Sequence, residues 1–345
     1  MEATQHTHLQ RDVRLEQGGV LPEITTAYRT LGRLNPQGSN AILVLHGYTT
    51  GPSMLDPGAH VAEGSWSDLV GPGRAIDTQS WFVICPNMLG SSYGSTGPGS
   101  VNPKSGRLYG VDFPRVTMRD IVDVQADLLN ALGVHRLVAA VGPSMGGYQA
   151  LQWGVTYPER VGRVVAAVSA PFDPFVASRR ETVLQQLQQD PAWNGGHYES
   201  GALVGTLTHM RVDTLKFYGV EAELQSRWPD PHDRERALQH MALQWAQGFD
   251  PGSLLTLAQA VEGFDLRPQL HRLTMPLLWV LSRSDAGFPP SLVPQIAPLL
   301  DAARVPWRYV ELDSDRGHLA SGAESHLWAE DLRRFLEDPD GGGRP

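Results

Sequence analysis

Apolar residues change their spacing along this chain. Over residues 12–32, Val13, Leu15, Ile24, Ala27 and Tyr28 alternate with polar neighbours around Gly18-Gly19, which predicts two antiparallel strands joined by a tight turn. Downstream, short apolar runs free of alternation appear at 41–46, 81–85, 136–141, 164–169, 277–281 and 307–312. Runs of that kind predict strands buried on both faces. Helical spacing fills several of the gaps. The clearest case is 118–132, with Ile121, Val124, Leu128, Leu129 and Leu132 on one face and Thr117 three residues before Asp120 as a capping pair. Further helices are expected at 145–157, 291–303 and 324–337, the last turning Leu327, Trp328, Leu332 and Phe335 inward. Strand and helix in alternation imply a mostly parallel central sheet with helices on both faces, an α/β class.

Residues 172–267 break the rhythm. They read as successive helices at 178–189, 201–218, 220–227, 233–248 and 253–262, with no strand between them. This is the pattern of an insertion capping one end of the sheet. The expected organisation is a core from 1–171, an inserted helical lid from 172–267, a second core part from 268–338 and a disordered tail over 339–345.

Composition narrows the function. The 345 residues are 41% hydrophobic with scattered Gly and Pro, as in a globular chain. A net charge of −9 is the wrong sign for tracking nucleic acid. No apolar run approaches the ~20 residues of a membrane span, and Met1 to Arg11 lack an apolar signal core, so a cytoplasmic protein is expected. Cys85, the single cysteine, lies in a predicted strand and reads as a buried thiol, leaving no cysteine-based metal site. His6 and His8 read as part of an unstructured polar tail. No glycine-rich nucleotide loop is present, so no cofactor is indicated.

The chemistry is signalled at 136–149. A buried strand runs into Gly142-Pro143-Ser144-Met145-Gly146 and then a helix, the context a G-x-S-x-G nucleophile elbow requires. A serine hydroxyl needs a base to take its proton and an acid to orient that base. His318 follows the 307–312 strand and is the candidate base. Asp285 follows the 277–281 strand and is preferred as the acid over Asp313 and Asp315, which are nearer to His318 in sequence. Oxyanion donors are expected from the backbone N–H groups of Met145 and Tyr48. His46 is strand-terminal, and a structural role is expected for it. Tyr93, Tyr109 and Tyr148 are candidates for lining an acyl pocket or for core packing, and the lid residues Trp193, Trp228 and Trp245 for shaping an apolar substrate channel or a dimer seam or for core packing.

Several segments together carry a resemblance: Leu69-Val-Gly-Pro-Gly73, Asn87-Met-Leu-Gly-Ser-Ser-Tyr-Gly-Ser-Thr-Gly-Pro98, Gly110-Val-Asp-Phe-Pro114, Thr117-Met-Arg-Asp120, Gly142-Pro-Ser-Met-Gly-Gly147, Asp190-Pro-Ala-Trp-Asn-Gly-Gly196 and Phe249-Asp-Pro-Gly-Ser253. Over most of its length the chain resembles the homoserine O-acetyltransferases. The resemblance implies an α/β-hydrolase fold with a lid that often mediates dimerisation. It also implies a serine that moves an acetyl group from acetyl-CoA, as co-substrate, to a hydroxyl. It carries roles to Ser144, Asp285 and His318, places the Tyr48 N–H in the oxyanion hole and Thr49 near the acceptor, and puts the family's pocket Arg and Tyr at Leu207 and Thr214, with Arg211 one turn from the first. The family's Asp after the catalytic His, which meets the ammonium of homoserine, is Leu319 here. A buried ammonium without a carboxylate costs several kcal/mol. The leading expectation is therefore hydrolysis of a small carboxylic ester through an acyl-serine, the alternative transfer to homoserine or another alcohol, and a third reading a non-catalytic binding protein on the same fold. Small-molecule esters or acyl donors are the expected partners.

Overall fold

The computed structural model describes residues 4–57, 65–175 and 178–338. The expected tail at 339–345 lies outside them. The strands are β1 (Thr4–Arg14), β2 (Val20–Leu31), β3 (Ala41–Val44), β4 (Val70–Gly71), β5 (Ile76–Asp77), β6 (Phe82–Pro86), β7 (Leu137–Pro143), β8 (Val164–Ala167), β9 (Leu277–Ser282) and β10 (Trp307–Leu312). Eight of them form one sheet in the order β1-β2-β6-β3-β7-β8-β9-β10, while β4 and β5 pair separately. β1–β2 and β2–β6 are antiparallel and every other neighbouring pair is parallel.

The absence of alternation in the middle strands has a simple cause. Successive residues serve two cores: Leu43, Ala140 and Ala166 face one, while Ile42, Val44, Val141 and Val165 face the other. The first core takes residues from α1 (Met118–Ala131), α2 (Met145–Thr156) and α8 (Val293–Ala302). The second takes Leu332, Phe335 and Leu336 of α10 (Ala329–Glu337), which follows the short α9 (Ala320–Ala323). At the start of α1, Thr117 and Asp120 form the reciprocal cap the sequence predicts.

Three expectations fail. β10 is only half-buried because it is an edge strand paired with β9 alone. The helix expected from 324 starts at Ala329, after Trp328 leaves helical geometry at φ −140°, and Leu327 is exposed as a result. His6 and His8 are not in a tail. β1 pairs with β2 along its length, His6 stacks on Tyr28, and His8 Nε2 lies 2.9 Å from an Asp127 carboxylate oxygen.

Between β8 and β9 the chain forms α3 (Arg179–Gln188), α4 (Val204–Phe217), α5 (Val220–Arg227), α6 (Pro231–Gly248) and α7 (Pro251–Val261). The two ends of this helical segment meet where Phe172 bridges Asp265 and the Leu266 N–H donates to the Pro171 carbonyl. Ser178, Asp230 and Asp250 cap three of its helices with side-chain oxygens.

Candidate active site

Ser144 occupies the turn between β7 and α2 with φ 56° and ψ −122°, a conformation costing ~1–3 kcal/mol for a residue with a side chain. Its neighbours must be small because backbone crowds them. A Cβ on Gly146 would stand 2.0 Å from the Leu45 carbonyl oxygen, and one on Gly142 would stand 2.5 Å from the same atom. Hydrogen bonds hold the strained residue at both ends. The Ser144 N–H donates to Ala167 O at 2.8 Å, and Ser169 Oγ donates to Ser144 O at 2.8 Å. The Ser169 side chain also leaves no space for a Cβ on Gly147, 2.5 Å away.

His318 and Asp285 come from the loops after β10 and β9. Both are buried, and His318 Nδ1 lies 2.8 Å from Asp285 Oδ2. Burial by itself would raise the Asp285 carboxyl. The charge and hydrogen bond of His318, with the N–H groups of Gly287 and Phe288, outweigh burial and hold the carboxyl below its usual range. An ionised carboxylate only accepts, so Nδ1 carries the hydrogen and Nε2 is left as the basic nitrogen. The imidazole is stacked between the rings of Tyr218 and Phe288, with centroids at 4.8 and 5.7 Å. Asp313 and Asp315 are engaged elsewhere, both paired with the exposed Arg283 at 2.5 and 2.6 Å.

The loop after β3 packs against the start of α2. Here His46 is buried, and burial pushes its pKa down to about 4 against the gain from hydrogen bonds to Gly47 and Asn87. The neutral ring accepts from Met88 N–H at Nε2 and lies 2.8 Å from Gly47 O through Nδ1, while its backbone carbonyl accepts from Gln149 Nε2. His46 thereby ties the loop to the segment after β6 and to α2. Tyr48 is anchored through its hydroxyl, which donates to Leu254 O at 2.6 Å. Met145 is the first residue of α2, where backbone N–H groups lack helical partners.

Ser144, His318, Tyr48 and Thr49 line one cavity of about 570 Å³, whose far wall is built by α3, α4 and α6 of the helical segment expected from sequence to form a lid. Arg211, on α4, is buried. Its Nη1 donates to Thr49 Oγ1 at 2.7 Å, and its guanidinium lies 4.9 Å from the Trp245 ring centre. Trp245 in turn donates to Thr49 O at 2.9 Å. Asp213, exposed, brings a carboxylate to the same cavity.

Leu319 is not brought to the cavity. It packs with Val212, Leu215 and Leu224 beneath the lid and borders a separate cleft. Leu207 is also absent from the Ser144 cavity, and Thr214 reaches it with its hydroxyl bonded to Met210 O. An Arg and a Tyr seven residues apart do line the cavity, but they are Arg211 and Tyr218, one turn further along. Tyr93 and Tyr109 border another cavity, Tyr148 packs on Phe264 and Phe288, and Trp193 stacks on Tyr198. Trp228 packs against the lid cluster. Arg179, Asp213 and Tyr218 were not singled out in the sequence. Only the seven-residue spacing shared by Arg211 and Tyr218 could have pointed to Tyr218.

Residues 40–322 match the family model for the alpha/beta hydrolase fold. The chain is 36% identical to a homoserine O-acetyltransferase of Geobacter sulfurreducens, covering 96% of each chain, and 37% identical to one of Symbiobacterium thermophilum, covering 94% and 91%. The protein belongs to the homoserine O-acetyltransferase-like family of α/β hydrolases. Among solved structures, the homoserine O-acetyltransferase of Bacillus anthracis superposes with TM-score 0.86 at 27% identity over 98% of both chains. A leucine-to-aspartate mutant of esterase E22 superposes with TM-score 0.88 at 25% identity, over 98% of this chain and all of that one. This family-wide scaffold thus carries both transferase and esterase names.

Proposed function

We propose that the protein forms an acyl-serine at Ser144 and that its overall reaction is transfer of a short acyl group, from a thioester such as acetyl-CoA, to a hydroxyl acceptor. Ser144 Oγ attacks the thioester carbonyl as His318 Nε2 takes its proton, with Asp285 steadying the imidazolium. The oxyanion meets the N–H groups of Tyr48 and Met145. The tetrahedral adduct collapses, the C–S bond breaks, and the thiolate leaves with the proton from His318. His318 then deprotonates the acceptor hydroxyl, which attacks the acyl-serine and frees Ser144.

The observation that carries transfer ahead of the hydrolysis expected from sequence is the charge in the acceptor wall. Arg211 and Asp213 bring both signs to the cavity, so a carboxylate and an ammonium each have a partner despite Leu319. Full-length similarity to named acetyltransferases supports the same reading. Homoserine is the first acceptor to try, with Thr49 beside it. Hydrolysis stands as the second reading because Leu319 leaves His318 without a following carboxylate and Asp213 is exposed rather than buried. The test is acetyl-CoA with and without homoserine, beside 4-nitrophenyl acetate. Thiol release that depends on homoserine supports transfer. Thiol release indifferent to it, with rapid ester cleavage, establishes hydrolysis instead.

A further inference from the structure

Arg179 opens α3 at the wall of the Ser144 cavity. Its guanidinium lies 4.8 Å from the centre of the Phe175 ring and 5.3 Å from that of Tyr48. Ring faces attract a cation but accept none of its N–H groups in strong hydrogen bonds. Among the described residues Arg179 makes no ion pair and no side-chain hydrogen bond. Asp173 is close enough to act on it electrostatically, yet its Oδ1 is taken by the Tyr148 hydroxyl at 3.3 Å and the Phe175 N–H at 3.5 Å. Arg211 differs, because its Nη1 is already committed to Thr49. Asp213, the carboxylate of this cavity, is exposed on α4. Arg179 is thus a planar cation set against two rings, whose hydrogen-bonding edge remains for a ligand. Tyr48, one of those two rings, also carries a proposed oxyanion N–H, so the cation stands one side chain from the reacting carbonyl.

We infer that Arg179 is a specificity-determining residue that pairs with a carboxylate on the substrate, favouring acyl groups derived from short dicarboxylic acids. The inference rests on the acyl-serine reading. A bidentate guanidinium–carboxylate pair inside an aromatic cavity selects strongly, because a neutral chain of the same length leaves the N–H groups of the guanidinium without a hydrogen-bond acceptor.

The experiment compares two matched ester pairs on the wild type, Arg179→Met and Arg179→Lys. Mono-4-nitrophenyl succinate against 4-nitrophenyl butyrate places the extra carboxylate on the acyl side. 4-Acetoxybenzoate against phenyl acetate places it on the alcohol side. Wild type is expected to favour the succinate monoester, and R179M to lower the succinate-to-butyrate ratio of kcat/KM by roughly tenfold or more, mostly through KM, with R179K recovering part of it. A shift in the alcohol-side ratio instead would keep the carboxylate pairing but overturn its acyl-side placement. If neither ratio moves in R179M, the inference is overturned. Labelling of Ser144 by a fluorophosphonate, run in parallel, separates the two failures. A wild type that is not labelled overturns the acyl-serine reading and the inference with it, whereas labelled enzyme with unmoved ratios overturns only the role of Arg179.

Discussion

The two walls of the Ser144 cavity are built differently. On the sheet side, backbone crowding and the Ser169 side chain fix the turn: Ser144 is strained, and Gly142, Gly146 and Gly147 leave no space for even a methyl group. On the lid side, side chains of α3, α4 and α6 reach in, and their contacts are single hydrogen bonds and ring faces. One wall specifies a reaction and tolerates almost no change. The other can exchange residues without disturbing the core, which is how one scaffold can carry both transferase and esterase names.

That contrast breaks first at the proposed nucleophile. Ser144→Ala is expected to lower turnover by about a millionfold while leaving the thermal unfolding curve near wild type, since the mutation removes only the hydroxyl. Gly146→Ala reverses the pattern. Its Cβ would collide with the Leu45 carbonyl oxygen at 2.0 Å, and a loss of about 3 kcal/mol in urea-measured stability is expected along with activity. If G146A folds and works like wild type, the sheet wall is not held as described.

His46 sharpens the comparison through pH. Its folded pKa of about 4 lies below the ordinary histidine value of 6.5, so the unfolded chain takes up a proton that the folded one refuses. Stability from this group is complete above pH 6.5, falls as pH drops towards 4 and is level below that, a loss of about 3 kcal/mol. Unfolding free energies for wild type and His46→Gln between pH 7 and 4 should differ in slope by that contribution. Equal slopes would contradict a neutral buried His46.

On the lid side effects are smaller and fall on substrate. Arg211→Met is expected to raise KM for a carboxylate-bearing acceptor by roughly tenfold while the rate of Ser144 labelling changes little. The smallest expected effect is back on the sheet side, where Ser169→Ala removes the hydroxyl donated to Ser144 O and costs about 1 kcal/mol, read as a small fall in Tm.

The sheet wall was legible in the sequence and the lid wall only in part, through Arg211, for physical reasons. An elbow that cannot accept a Cβ leaves glycine at fixed offsets, and strands serving two cores leave runs without alternation. Asp285 and His318 follow from where strands end. The lid is harder to read because the residue a helix presents depends on its rotation about its own axis. Arg211 and Tyr218 enter the cavity where a reading one turn earlier points to Leu207 and Thr214. Leu319 follows His318 in sequence yet turns away into the lid cluster, a direction fixed by the short helical turns of residues 317–323. The paired β1 and the half-buried β10 were misjudged for a related reason, since position in the sheet order is a tertiary property.

The central claim is that Ser144 carries the acyl group. Rapid acid quenching after mixing with acetyl-CoA or 4-nitrophenyl acetate, followed by peptide mass spectrometry, tests it directly. One acetyl group on the peptide containing Ser144, absent from Ser144→Ala, is the expected result. Undiminished turnover in that variant, or acetylation at another residue that kinetically precedes product, would contradict it.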